Sequence, residues 1–210
     1  MNIENYKNDG WGLSRLGFQN LFDILSKNKN QKTIVEFGSG MSTKFFLDAL
    51  DGLEMNSVVY SFDDSTEYSY KGVHPKLNLR IVELIETSDD RFEKMFVDKT
   101  YDINLMQRKV TPLHTRQKNT FYNVGGSIIP ENIDLLLVDG PHGNGRSLAF
   151  LHTYNKLHQG SIVFIDDSTH YPFYDHLNML YPLNRIIVNH VGGKGDKWTL
   201  GGDFVIVEIL

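Results

Sequence analysis

The stretch from Thr33 to Thr43, TIVEFGSGMST, constrains this chain more than any other. Thr33 to Phe37 is a short apolar run rich in β-branched residues and is halted by Gly38-Ser39-Gly40, which predicts a buried strand entering a tight turn. Lys44 to Leu50 then predicts a helix, with Ser42 or Thr43 as its N-cap. Strand, glycine turn and helix start form a cradle for a nucleotide-like ligand. Glycines admit a ligand close to the backbone, and the amides of a first helical turn offer it donors. A strand-turn-helix that binds nothing is the competing reading.

Glu36 narrows the choice of ligand. In a dinucleotide fold the turn faces a pyrophosphate, which a carboxylate at this position would repel. S-adenosylmethionine presents an ammonium and a sulfonium instead, and an acid here attracts both. The pattern Glu36-x-Gly38-x-Gly40 resembles the first motif of class I methyltransferases, with Ser42 where a third glycine is usual. The cofactor contacts expected on this basis are Glu36, Gly38, Ser39, Gly40 and Thr43. Ser57 to Phe62 predicts the second strand, ending at Asp63-Asp64, and Asp63 is placed to accept hydrogen bonds from ribose hydroxyls. A third strand is predicted over Arg80 to Leu84. Ser88 and Asp89 follow it where methyltransferases often contact adenine.

With 210 residues, 40% of them hydrophobic, the chain can bury one good core, which predicts a single domain over 1–210. Within it, 1–30 reads as a helical extension, with Phe18, Leu21, Phe22 and Leu25 on one face. Residues 98–131 lose periodicity and carry Gln107, Arg108, Lys109, His114, Arg116 and Lys118, which reads as a lid or substrate loop, or as a solvated charged face. With no cysteine, the chain has no disulfide framework, thiolate nucleophile or sulfur-ligated zinc. No apolar run approaches membrane-spanning length and the N-terminus has no signal-peptide pattern, so a cytoplasmic protein without a membrane partner is the expectation. A net charge of −5 argues against broad binding to nucleic acid and favours small molecules or sugars as partners. Self-association is left open.

Ile133 to Val138 is an apolar run, broken only by Asp134, that predicts a central parallel strand ending at Asp139-Gly140-Pro141-His142. Arg146 to Leu157 predicts a crossover helix, Ser161 to Ile165 the next buried strand, and Asp166-Asp167 its end. Arg185 to Val191 and Asp203 to Leu210 predict an antiparallel pair with no helix between them. This order matches the class I methyltransferase fold, an α/β, Rossmann-like sheet of seven mostly parallel strands with an antiparallel terminal strand.

In open α/β sheets ligands collect outside the carboxyl ends of the strands, where Asp139, Asp166 and Asp167 are expected to meet. Carboxylates brought together repel one another unless a cation holds them, and oxygen-only donors suit Mg²⁺ or Mn²⁺. The Asp139-Gly140-Pro141-His142 run, followed by the acid pair Asp166-Asp167, resembles the metal-dependent sugar O-methyltransferases of the macrocin and mycinamicin type. The resemblance implies that Asp139, Asp166 and Asp167 bind the metal and that His142 is the general base, with Asp139 also counted in the catalytic set. Tyr122, Arg146, His170 and Trp198 are candidates for an acceptor pocket, and Trp11 either covers the cofactor or packs on the surface. Three other readings stand beside this one: a metal-independent small-molecule methyltransferase, a nicotinamide-dependent dehydrogenase, and a binding module that keeps the adenosyl site without chemistry. The acceptor, and whether oxygen or nitrogen is methylated, are not legible.

Overall fold

The computed structural model describes residues 1–7, 12–27, 29–30, 32–108, 118–125, 128–193 and 196–210. Trp11, Lys109, His114 and Arg116 lie outside the described residues. The elements in chain order are α1 (Arg15–Lys27), β1 (Thr33–Phe37), α2 (Met41–Gly52), β2 (Val58–Asp63), β3 (Leu77–Ile81), β4 (Leu84–Glu86), α3 (Asp89–Val97), β5 (Gln107–Arg108), β6 (Thr120–Tyr122), β7 (Ile133–Val138), α4 (Leu148–His152), β8 (Leu157–Asp166), α5 (Phe173–Leu180), β9 (Asn184–His190), α6 (Lys197–Leu200) and β10 (Phe204–Ile209).

Seven strands form one sheet in the order β3-β2-β1-β7-β8-β10-β9. The pairs from β3 to β8 are parallel, and β10 inserts antiparallel between β8 and β9. This is the expected α/β, Rossmann-like sheet. Alternation along each central strand builds two cores, one on each face. Ile34, Leu135, Leu137, Phe164, Phe204 and Ile206 face Phe18, Phe45, Phe46 and Trp198. Val35, Phe37, Leu136, Val138, Val163 and Ile165 face Phe92, Phe96, Phe150, Phe173 and Leu177. β1 and β7 are apolar on both faces because both faces are covered.

Four expectations are corrected. The third strand of the sheet is Leu77–Ile81, not Arg80 to Leu84; Leu84–Glu86 leaves the main sheet and pairs antiparallel with β5 and β6 in a second sheet of order β5-β4-β6. The crossover is shorter than its apolar spacing implied, with a 3₁₀ turn at Asn144–Ser147 and α4 ending at His152, because Leu157 already begins β8. A one-turn helix, α6, lies between the terminal strands, its start capped by Asp196 Oδ1 accepting from the Trp198 amide at 2.9 Å. The N-cap of α2 is Gly40, while Thr43 sits one turn into the helix and its hydroxyl accepts from the Gly40 amide at 3.0 Å.

Candidate functional site

Strand register assembles the site. Phe37 of β1 lies beside Phe62 of β2 and Val138 of β7, and Val138 beside Ile165 of β8. The next residue on each strand is therefore level with its neighbours: Asp63, Gly38, Asp139 and Asp166 stand in a row along the carboxyl edge. The turn after β1 and the loop after β7 touch directly. A Cβ on Gly38 would lie 2.9 Å from the Gly140 nitrogen and 3.0 Å from the Asp139 carbonyl carbon, and Gly38 has φ +98°. Only glycine satisfies both the contact and the backbone conformation.

The cradle is held by its own side chains. Glu36 is fully buried, and its Oε2 accepts the hydroxyls of Thr43 and Ser61, both at 2.6 Å. Its Oε1 is buried without a hydrogen-bond partner. Burial pushes the Glu36 carboxyl up to about 7, against the pull of the Ser42, Ser61 and Thr43 hydroxyls. Asp63 closes the other side: its Oδ2 accepts the Ser39 amide and its Oδ1 the Ser65 amide, each at 2.7 Å. Burial raises the Asp63 carboxyl to about 6 even so. The Ser39 and Gly40 amides, expected as ligand donors, are thus already engaged by Asp63 and Thr43.

One carboxylate oxygen from each of Asp139, Asp166 and Asp167 lies within 4.8 Å of the others. Asp166 is fully buried, while Asp139 and Asp167 are partly exposed toward the rim. Asp167 adopts left-handed backbone, φ 51°, as the chain turns off β8, a conformation Asp tolerates better than most residues. Oxygen donors at this spacing fit an oxygen-preferring divalent ion such as Mg²⁺. His142 is exposed on the same loop as Asp139, just after the cis Gly140-Pro141 bond.

Two side chains considered for an acceptor pocket are structural parts of this cluster. Arg146 is 4% exposed. Its Nε donates to the Pro141 carbonyl at 2.8 Å, and its Nη1 to the Asp166 carbonyl and to Asp167 Oδ2, both at 3.3 Å. Tyr122 is buried beneath Gly140, where any side chain on that glycine would collide with the phenol oxygen. Burial, and then the charges of Asp63 and Asp64, hold its hydroxyl well above the usual phenol range, so it stays neutral. Trp198 is buried between α1 and the sheet with Nε1 donating to Glu4 at 3.2 Å, and His170 is exposed on the loop after β8. A single arginine at the start of a crossover carries no sequence signal of its own; the nearest is the Gly143-x-Gly145 spacing before it, since a Cβ at Gly145 would run into the Thr120 backbone.

Ser88 and Asp89 open α3, separated from β3 by a strand of the second sheet. They line a polar cleft of about 440 Å³ with Glu86, Thr87, Arg91, Gln107, Lys118 and Asn119. Asp89 pairs with Lys118 and accepts from Asn119 at 2.7 Å, and the Asn119 amide in turn donates to Asn144 Oδ1 at 2.8 Å. That chain of bonds connects the cleft to the segment following His142.

A family model described as a methyltransferase domain matches residues 35–168. No curated protein matches the chain. Similar solved structures include CmcI, in a form named with Mg and SAM, at 13% identity over 90% of this chain and 69% of that one, with a TM-score of 0.48. TrmN from Thermus thermophilus is 15% identical over 100% of this chain and 52% of that one, with a TM-score of 0.45. A putative ribosomal RNA methyltransferase from Plasmodium falciparum is 12% identical over 91% and 93%, with a TM-score of 0.47.

Proposed function

The chain belongs to the methyltransferase-domain family and is an S-adenosylmethionine-dependent methyltransferase; from that premise we propose an O-methyltransferase, assisted by Mg²⁺, that acts on a hydroxyl of a sugar or glycosylated small molecule. The observation that supports it best is the contact of Gly38 with Gly140, which brings the cluster of Asp139, Asp166 and Asp167 close to the glycine turn.

Glu36 and the turn at Gly38 to Gly40 would seat the positively charged end of the cofactor, Asp63 the ribose, and the cleft at Ser88 and Asp89 the adenine. Asp139, Asp166 and Asp167 would hold the ion and leave positions open toward the rim. When bound, the ion lowers the pKa of a coordinated hydroxyl. His142 would take the hydroxyl proton as the oxygen bonds to the methyl carbon, while the carbon–sulfur bond breaks and its electron pair stays on sulfur. Holding both reactants in line is worth roughly 7–11 kcal/mol in favourable cases.

One observation favours a metal-independent enzyme: Arg146 already supplies a buried positive charge to Asp167. Methyl transfer to a panel of hydroxylated sugars, with Mg²⁺ and after chelation, separates the two readings. Loss of at least about tenfold on chelation is expected, with recovery on adding Mn²⁺; undiminished turnover removes the metal role. His142→Ala is expected to cost roughly 10²–10⁴ in kcat.

A further inference from the structure

We propose that Arg146 is the fourth charged member of the cation site: a positioning residue that fastens the loop carrying His142 to the end of β8 and sets the charge that the acids present to an ion. The inference rests on the Mg²⁺ reading above.

The guanidinium reaches three points on two segments. Its Nε holds Pro141, the residue before His142, and its Nη1 holds the backbone of Asp166 and the carboxylate of Asp167. Its planar fork spans the gap between the ends of β7 and β8 in one piece, which an ammonium on a flexible stem cannot do. The side chain is almost entirely buried, so solvent screens its charge weakly.

Charge follows from the same contacts. Counted as formal charges, the three carboxylates and this guanidinium sum to −2, the match of one divalent ion. Without Arg146 the cluster matches a trivalent ion instead. Arg146 also restrains the Asp167 carboxylate at its left-handed turn through Oδ2, so that this ligand is held before an ion arrives.

Mn²⁺ and Tb³⁺ titrated separately into the cofactor-free full-length protein test this, by electron paramagnetic resonance and terbium luminescence. In Arg146→Gln the ratio of Tb³⁺ to Mn²⁺ affinity is expected to rise by about tenfold or more over wild type, since a unit charge a few ångströms away is removed from a weakly screened site. In Arg146→Lys the ratio is expected to stay within about threefold, while both ions bind more weakly because the fork to Pro141 is lost. A purely structural arginine would lower both affinities in step in both variants, and an unchanged ratio in Arg146→Gln overturns the proposal. Should Arg146→Gln fail to give a native circular dichroism spectrum, Arg146→Met, which also removes the charge and keeps an unbranched stem, is read for the ratio in its place with the same expected rise, and an unchanged ratio there, or a shifted ratio or undiminished affinities in Arg146→Lys, overturns the proposal. A wild-type protein that binds neither ion removes the Mg²⁺ reading as well, whereas wild-type binding with an unmoved ratio removes the role of Arg146 alone.

Discussion

Glu36 is ionisable, fully buried and bonded through one oxygen, so the folded protein holds its proton more tightly than the unfolded chain does, at about 7 against an ordinary 4.5. The stability this brings is complete below the unfolded value and is lost as pH rises through about 7. Glu36→Gln imitates the protonated acid. It is expected to raise the unfolding free energy of the cofactor-free protein at pH 8 by on the order of 1–3 kcal/mol and to change it little at pH 5. The same variant is expected to weaken S-adenosylmethionine binding, since the carboxylate that would face the cationic ligand is gone. Urea titrations at the two pH values, with and without cofactor, check both; a variant no more stable than wild type at pH 8 contradicts the account. Gly38→Ala is expected to cost about 2 kcal/mol or more, because the new methyl meets Gly140 and Asp139 at φ +98°, and to abolish cofactor binding at concentrations that saturate the wild type. Glu36 and Gly38 were legible in the sequence because local chemistry marks them. That Gly38 packs on Gly140, across the sheet, was not, because nothing local records which loops a register brings together.

The central strands were legible at the scale of elements for a related reason. A strand covered on both faces must be apolar throughout, and β1 and β7 stand at the predicted boundaries. β3 is an edge strand, Leu77-Asn78-Leu79-Arg80-Ile81, with no fully buried position, so its pattern is diluted and the stronger apolar signal of Ile81, Val82 and Leu84 misplaced it. The short α4 was overextended because Tyr154 and Leu157 continue its apolar spacing although the chain has already turned toward β8. α4 makes a further testable contact. Its last residue, His152, is fully enclosed by Tyr101 at a ring separation of 3.6 Å and by Phe121 at 5.1 Å, and its Nε2 has no partner. Burial depresses its pKa to about 3 from an ordinary 6.5. The unfolded chain therefore takes up the proton first, and stability present above 6.5 is lost as pH falls toward 3, by up to roughly 1.4 kcal/mol per pH unit. His152→Leu, similar in volume and unable to titrate, is expected to move the acid-unfolding midpoint downward. An unchanged midpoint would mean that another group governs acid unfolding.

At the scale of the whole molecule, the proposed function predicts that the two patches respond to ligands separately although their loops touch. Any ligand that binds only the folded state raises its stability by RT ln(1 + [L]/Kd), about 2.7 kcal/mol at a hundredfold excess over Kd, wherever in the molecule it binds. For a chain of this length that corresponds to a rise in Tm of about 5–10 °C. On the proposed reading S-adenosylmethionine would act through Glu36, Asp63 and the glycine turn, and Mg²⁺ through Asp139, Asp166 and Asp167. Asp167→Asn is accordingly expected to erase the Mg²⁺-induced shift and retain most of the cofactor-induced one, since Asp167 follows the end of β8, two strands away from β1 and its turn. Glu36→Gln is expected to do the reverse. Asp167→Asn also leaves Arg146 with one ionised partner fewer, so its Tm without ligands should fall by no more than a few degrees: Arg146 Nη1 keeps the Asp166 carbonyl and can still bond the asparagine oxygen. Scanning calorimetry of the two variants, each with cofactor, with Mg²⁺ and with neither, separates the contributions. If both variants lose both shifts together, the cradle and the acid cluster are one site rather than two neighbours, and the division of labour among these carboxylates is wrong.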